Sequence, residues 1–448
     1  AAYAAMLEHA DQHLARLVDF LDKAGQLDDT LIIVMSDNGA SQEGGPFGMV
    51  NAMGPYNLRR EPIEEKIARI DDIGGPDTHS NFPLGWAMAA NTPLRRYKQN
   101  THGGGIRDPL VISWPKGLAA RGEVRPHFAH ACDLVPTLLE VIGIEPPAEV
   151  WGVPQAPLEG ESFAASLADP GAPPRAAPQY FEMFGHRGLW KDGWKAVAFH
   201  PPGTPFDADP WELYHLDRDF SETEDLAEAE PERLKALVDE WWRQAQAHKV
   251  LPLDDRFGPR FAENSARFHG ARRRFVFHKG MGHLPTDVAP DVRARSYRIE
   301  AEVRLKGGEE GVLLAHGDAT SGYSLYLRGG RLHHTLNIGG QKTTVSSEAP
   351  VPPGATRLGL LAVQSPEGPR TFTLTVDGKA AGAATATTGF VTLISWSGLD
   401  IGLDRGSPVA DYPAPFAFTG TLKKVTVTMD ADQQLDGDAV GEAEMARQ

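Results

Sequence analysis

A chain of 448 residues, 41% hydrophobic and 23% charged, has the length for two or three domains with separate cores and the composition of an ordinary soluble globular protein. Its formal charge of -16 leaves no basic surface to displace phosphate counterions, which argues against a nucleic-acid partner. The single cysteine, Cys132, excludes an intrachain disulfide and leaves the redox compartment open. No run approaches the ~18 to 20 apolar residues of a membrane span, and no basic-then-apolar targeting segment opens the chain.

Met6, Leu7, Leu14, Leu17, Val18 and Leu21 recur at three- and four-residue spacing, which predicts an amphipathic helix from Tyr3 to Ala24, stopped near Gly25 and needing a sheet to cover. Leu31, Ile32, Ile33, Val34 and Met35 form a continuous apolar run, the pattern of a strand buried on both faces of a parallel sheet. Asn51 to Ala90 is rich in Gly, Pro and Asp, with a short charged helical stretch from Glu61 to Ile70. It reads as a surface insertion over the strand ends, a substrate lid or wall. Leu110 to Pro115 is the next strand, and Val150 to Pro178 has the Pro, Gly and Ala content of a linker. Tyr180 to Phe184, Arg187 to Trp190, Trp194 to His200 and Glu212 to Leu216 then read as antiparallel strands, followed by a helix from Pro231 to His248. From Arg272 the texture changes to short alternating strands joined by turns such as Arg328-Gly329-Gly330 and Val376-Asp377-Gly378-Lys379, which predicts a β-sandwich. The expected domains are 1–149, 150–264 and 265–448, the last ending in an acidic tail.

The apolar run at 31–35 ends in Ser36-Asp37-Asn38-Gly39. Ligands of open α/β sheets sit beyond the carboxyl ends of the strands, and Asp37 and Asn38 offer a carboxylate and an amide oxygen there, a hard pair suited to Ca²⁺ or Mg²⁺ rather than Zn²⁺. The plain alternative is a turn, since all three of Asp, Asn and Gly tolerate left-handed backbone or bond their own chain.

Asp37-Asn38-Gly39 is followed in fixed order by Asn91 to Pro109, His130 to Thr137, Trp211 to Leu216 and Glu222 to Leu226, and this ordered set resembles the sulfatase family of the alkaline phosphatase superfamily. Asp37-Asn38-Gly39 resembles the second half of its calcium site. The segment running Asn91-Thr92-Pro93-Leu94-Arg95-Arg96-Tyr97-Lys98-Gln99-Asn100-Thr101-His102-Gly103-Gly104-Gly105-Ile106-Arg107-Asp108-Pro109 is similar to the family's lysine and glycine-rich segment. His130-Ala131-Cys132-Asp133-Leu134-Val135-Pro136-Thr137 resembles its Asp-x-x-Pro-Thr helix, and Trp211 to Leu216 with Glu222 to Leu226 its late Leu-Tyr strand and acidic turn. The resemblance covers about residues 1 to 256. It implies the later part of an alkaline-phosphatase-like α/β sheet, then a small α+β subdomain. The strands Gly322-Tyr323-Ser324-Leu325-Tyr326 and Val376-Asp377-Gly378 resemble laminin-G or concanavalin-like jelly rolls, a C-terminal antiparallel sandwich that binds glycans or packs on the catalytic body.

The resemblance implies a calcium-dependent sulfuric ester hydrolase, arylsulfatase-like, acting on a small-molecule or glycan sulfate ester. Asp37 and Asn38 would complete the metal shell, with Mg²⁺ as the other candidate ion. Lys98 would bind a sulfate oxygen and assist the leaving group, and His102 would contact sulfate or donate a proton. Against these stand a solvated surface lysine and a loop-packing histidine. Gly103 to Gly105 are read as tight backbone passage. His186 and Arg187 could line the pocket or form a hairpin turn with an exposed histidine, while His130, Asp133, His278 and His283 are read as structural or solvated. The family nucleophile is a formylglycine made in a Cys/Ser-x-Pro-Ser-Arg motif, which the 448 residues lack; Cys132 and Ser365 sit in other contexts. Ala1 opens directly on the helical pattern, and the expectation is an upstream segment that carries the nucleophile. The alternatives are a phosphoryl or phosphonate hydrolase of the same superfamily, which Asp-Asn in place of Asp-His disfavours, and a non-catalytic calcium- or glycan-binding remnant. Oligomeric state and compartment are left open.

Overall fold

Leu14, Leu17, Val18 and Leu21 wind into the first helix as their spacing requires, and Gly25, at φ +65°, ends it by letting Gln26 N–H reach back to the Leu21 carbonyl at 2.9 Å. This is a computed structural model that describes residues 1–119, 122–256, 271–365 and 369–435; the expected boundary at 264 and the acidic tail lie outside them. The helices are α1 (Ala2–Lys23), α2 (Ile63–Ala68), α3 (Leu84–Ala90), α4 (Gly103–Ile106), α5 (Leu134–Ile142), α6 (Ala164–Ala168) and α7 (Pro231–Ala247). No described helix is long and apolar enough to cross a membrane. The chain divides into two units, residues 3–41 with 85–255, and residues 42–84 with the described part of 256–448.

In the first unit, β1 (Ile32–Met35) pairs antiparallel with β2 (Leu110–Ser113), Ile33 opposite Ile112. Leu31, Ile33 and Ile112 face Leu134, Leu138 and Val141 of α5, with Phe163 and Leu167, around a small apolar cavity. Val34, Met35, Leu110 and Val111 remain exposed, and no residue of α1 is buried. The expectation of a strand buried on both faces and a helix covered by a sheet is therefore not met among the described residues. A continuous apolar run fixes the strand but neither the direction of its partner nor what covers its second face.

Residues 150–178, expected as a linker, contain a two-residue hairpin, β3 (Glu149–Val150) with β4 (Val153–Pro154), and α6. They are tied down by the buried Asp133, which accepts from His130 N at 2.8 Å and Glu161 N at 2.8 Å and pairs with Arg175. The high Pro and Gly content marks an irregular path, not a loose one. Four strands follow as a meander: β5 (Gln179–Met183), β6 (His186–Lys191), β7 (Trp194–Ala198) and β8 (Trp211–His215). Leu189, Ala196 and Leu213 of this sheet bury against Leu237, Trp241 and Ala245 of α7, and Trp241 satisfies its indole N–H on the Phe181 carbonyl at 3.0 Å.

The second unit is the sandwich. One sheet runs β17-β16-β15-β10-β19-β9 and the other β14-β13-β12-β11-β18, every pairing antiparallel. Their ranges are β9 (Arg274–Phe277), β10 (Tyr297–Arg304), β11 (Gly311–Gly317), β12 (Gly322–Arg328), β13 (Arg331–Ile338), β14 (Gln341–Ser346), β15 (Arg357–Gln364), β16 (Arg370–Val376), β17 (Lys379–Ala386), β18 (Leu399–Ile401) and β19 (Thr421–Met429). Alternate residues such as Ile299, Leu360, Phe372 and Val427 of the first sheet meet Leu314, Leu325 and Leu336 of the second in one core. The turns at Gly329-Gly330 and Asp377-Gly378 both take positive φ at their two central residues, the geometry that matches strand twist in two-residue hairpins.

Residues 42–84 belong to this sandwich unit, and with them most of the stretch 51–90 expected as a lid or wall over the strand ends; residues 85–90 fall in the first unit. Asn51 Nδ2 donates to the Thr320 carbonyl at 3.0 Å; Asn57 donates to the Leu393 carbonyl at 3.0 Å and accepts from Val391 N at 2.8 Å; Arg59 reaches the Gly339 carbonyl. Glu61 closes the segment on itself through the Val50 and Asn51 amides.

Candidate active site

The turn after β1 is shaped locally. Ser36 Oγ donates to the Asn38 carbonyl at 2.8 Å, and Asn38 Nδ2 donates to Asp37 Oδ1 at 3.0 Å. Gly39 N–H donates to the Gly105 carbonyl at 3.2 Å, and a Cβ on Gly39 would fall 1.7 Å from the Gly104 oxygen, so only glycine admits this approach. Gly104 and Gly105 are in turn pressed against the Arg96 and Asn100 carbonyls, the tight passage expected of the glycine run.

Asn91 clamps the three segments. Its Oδ1 accepts from Ala40 N at 3.1 Å, and its Nδ2 donates to the Arg96 and Gly104 carbonyls, each at 2.9 Å. Lys98 N–H donates to the Ala40 carbonyl at 3.0 Å. Asp37-Asn38, the Lys98 loop and the His102 turn, up to 65 residues apart in the chain, are thus hydrogen-bonded into one locality. Arg96 at φ +63° and Gln99 at φ +74° bracket Lys98 in left-handed backbone, each at a cost of roughly 1 kcal/mol or more that the surrounding bonds must offset.

Asp37 is exposed and Asn38 half-buried. Near them the half-buried Asp108 has its pKa pushed up to about 6, by burial first and then by the Asp37 charge. His102 is buried, 1% exposed, and its Nε2 lies 2.9 Å from Glu212 Oε2. Glu212, on β8, also accepts from Tyr214 OH at 2.9 Å and Arg95 at 3.2 Å. The His102 hydrogen bond is the largest influence holding the Glu212 carboxyl down to about 2, with Tyr214 and Arg95 adding to it against burial. Burial lowers the His102 pKa, so near neutral pH the ring is uncharged, its one N–H faces the Glu212 carboxylate, and Nδ1 is a buried acceptor with no partner among the described residues. In that tautomer the ring has no second N–H to offer a sulfate.

Glu222 and Lys195 complete the support. Glu222 Oε2 accepts from Gly103 N at 2.9 Å, while its Oε1 takes Lys195 Nζ at 2.6 Å. Asn91, Glu212 and Glu222 lie inside segments that carry the family resemblance, yet spacing gave them no role; Lys195 had no sequence signal beyond its place on a strand. His186 is half-buried, not exposed, and Arg187 is buried against Asp209. His130 caps the turn before α5 and Asp133 anchors residues 150–178; His278 bonds the Lys423 carbonyl and His283 the Gly398 amide, all structural arrangements.

Residues 1–144 match the sulfatase family model, and residues 97–248 match the model of the N-sulphoglucosamine sulphohydrolase C-terminal region. Residues 1–144 are a sulfatase-family domain. An uncharacterized sulfatase of Schizosaccharomyces pombe is 29% identical over 279 residues, 60% of this chain and 47% of that protein. The arylsulfatase of Klebsiella aerogenes is 28% identical over 164 residues, 36% of this chain and 33% of that protein. Among solved structures, Ps i-CgsB in complex with k-i-k-neocarrahexaose superposes with 23% identity and a TM-score of 0.37, covering 54% of this chain and 42% of that one. The chain spans less than half the length of these curated relatives.

Proposed function

We propose that this chain forms part of a sulfuric ester hydrolase of arylsulfatase type, in which Asp37 and Asn38 supply oxygens to a divalent cation and Lys98 contacts the sulfate. The observation that carries the reading is the Asn91 clamp, which ties the Asp37-Asn38 turn to the Lys98 loop. The donor chemistry fits calcium, with magnesium the second choice. Asp37 Oδ2 and the Asn38 amide oxygen are hard donors that accept no hydrogen bond among the described residues, and the neighbouring Asp108 adds negative potential. No described group of three or more His, Cys, Asp or Glu is arranged around them, and the reading assigns these two as part of the shell only. Bound there, the ion would draw charge from the sulfate oxygens.

In this reading the Lys98 ammonium neutralises a sulfate oxygen and hydrogen-bonds the ester oxygen as it gains charge. His102 acts through position: its N–H on Glu212 fixes the turn that places Gly103 to Gly105 under the Asp37 loop. None of the 448 residues is assigned as nucleophile; the formylglycine of the family would lie outside them. Calorimetric titration of the chain with phenyl sulfate in calcium, for the parent and for Asp37→Ala and Lys98→Ala, tests this. Each substitution should weaken binding at least about tenfold, and a phenyl phosphate control should bind no better than the sulfate. Parent-like affinity in both variants would sink the assignment.

A further inference from the structure

Beside the Lys98 loop lies a cation that the site described so far does not use. The Arg96 guanidinium sits 3.8 Å over the Phe199 ring, and His186 stacks on the same ring at 4.6 Å and 25°. Arg95 is paired with Glu212, Arg187 and His200 with Asp209, and Lys195 with Glu222. Arg96 alone of these has no carboxylate hydrogen bond among the described residues, and its Nε is buried without a partner. Burial is the largest influence on this half-buried guanidinium; the Glu212 carboxylate, already shared by His102, Tyr214 and Arg95, attracts it only from beyond hydrogen-bonding distance and leaves it incompletely neutralised.

His186, on the same ring, carries a proton on a defined nitrogen. Its Nδ1 accepts the His200 backbone N–H at 2.9 Å, which places the ring proton on Nε2. Burial and then the Arg96 charge push the imidazole down to about 3, so it stays neutral and keeps that arrangement across the physiological range. Arg96 is two residues from Lys98, at most about 7 Å along the chain, and its left-handed backbone is the kind of local strain that collects at ligand sites.

We propose that Arg96, with His186 beside it on Phe199, forms an anion subsite that reads a second acidic group, a carboxylate or a second sulfate, on the ester held at Lys98. The proposal rests on the sulfate-ester reading of the Lys98 site and names its substrate class as polyanionic esters. A planar guanidinium fork matches a carboxylate with two parallel hydrogen bonds, and the neutral imidazole adds an N–H without adding charge.

The test titrates the 448-residue chain, in calcium, with phenyl sulfate, 3-carboxyphenyl sulfate and 1,3-phenylene bis-sulfate. The dianionic probes should bind about tenfold or more tightly than phenyl sulfate, and whichever is tighter identifies the second group. Arg96→Asn removes the charge with a residue that tolerates positive φ, and should bring the ratio toward one; Arg96→Lys should restore part of it. A thermal melt of each variant confirms that the fold is retained. Equal affinity of the parent for all three probes overturns the subsite and leaves the sulfate reading intact. Failure of every sulfate probe to bind the parent overturns both.

Discussion

Replacing Lys195 by methionine isolates a buried charge next to the candidate site. The lysine side chain is 2% exposed and its partner Glu222 1%, with Nζ 2.6 Å from Oε1, and burial lowers the lysine pKa against the attraction of that carboxylate. Removing one partner of such a pair costs about 3–5 kcal/mol, because the remaining charge keeps its desolvation penalty and loses its compensation. Removing both is a different perturbation. In Lys195→Met/Glu222→Met no charge is buried, and the main loss is the acceptor for Gly103 N–H, worth about 1–3 kcal/mol. The double variant should therefore be more stable than Lys195→Met alone. Urea unfolding of the full chain, followed by hydrogen exchange at amides of residues 85–255, separates this unit from the sandwich. A single variant within about 0.5 kcal/mol of the parent, or a double variant no better than the single, would refute the account of Glu222 as a charge held in place by Lys195.

Acid should weaken the first unit from about pH 6.5 downward. Glu212, held near 2, contributes stability that is complete above the ordinary carboxylate value of 4.5 and is lost as pH falls from there toward 2, while the lowered pKa of His102 means that unfolding takes up a proton below 6.5. Urea midpoints of this unit at pH 7, 5 and 3.5 should fall in that order, and a flat profile would contradict the sign. Trp241→Ala removes a ring with no exposed surface and its bond to Phe181, and should destabilise the four-stranded sheet by about 3–5 kcal/mol in thermal or urea melts. Asn57→Ala should open residues 42–84 to protease at lower concentration while amides of β10 and β19 keep their protection, since it unpairs Val391 N–H and the Leu393 carbonyl without touching the sheets. Equal opening of both would show that segment and sandwich melt as one.

Much of the strand pattern was legible because period-two burial is written directly into segments such as Tyr297 to Arg304, where alternate side chains are buried. The hairpins at Gly329-Gly330 and Asp377-Gly378 were legible for the same local reason. What local pattern could not supply is partner choice. The apolar run at Ile32 to Met35 does not say that it meets β2 antiparallel, and the Gly- and Pro-rich chain from Asn51 onward does not say that Asn51, Asn57 and Arg59 reach carbonyls some 270 to 340 residues away. The nearness of Asp37 to the His102-Gly103-Gly104-Gly105 turn came from family resemblance, and the structure adds how it is enforced, through Gly39 and Asn91. For His102 the family resemblance, a histidine just before the glycines, implied contact with sulfate or proton donation, with a loop-packing histidine as the alternative; its partner Glu212 lies 110 residues on, beyond the reach of any local signal.

The sandwich contains a piece of chain made long before the sandwich itself. Asn51 is separated by 269 residues from the Thr320 carbonyl it bonds, which at a synthesis rate of about 5–20 residues per second is roughly 15–50 seconds on the ribosome. Through that interval Met49, Ala52, Met53 and Tyr56, all buried in the finished protein, have no sheet to rest on. The segment is gathered at its base, Gly44 N–H on the Phe82 carbonyl at 3.0 Å and Leu84 N–H on the Gly45 carbonyl at 3.0 Å, so it can wait as a closed loop and dock last. For the same reason no single cut yields the whole sandwich: a fragment beginning after residue 256 would leave Thr320, Gly339, Val391 and Leu393 facing water where residues 42–84 belong.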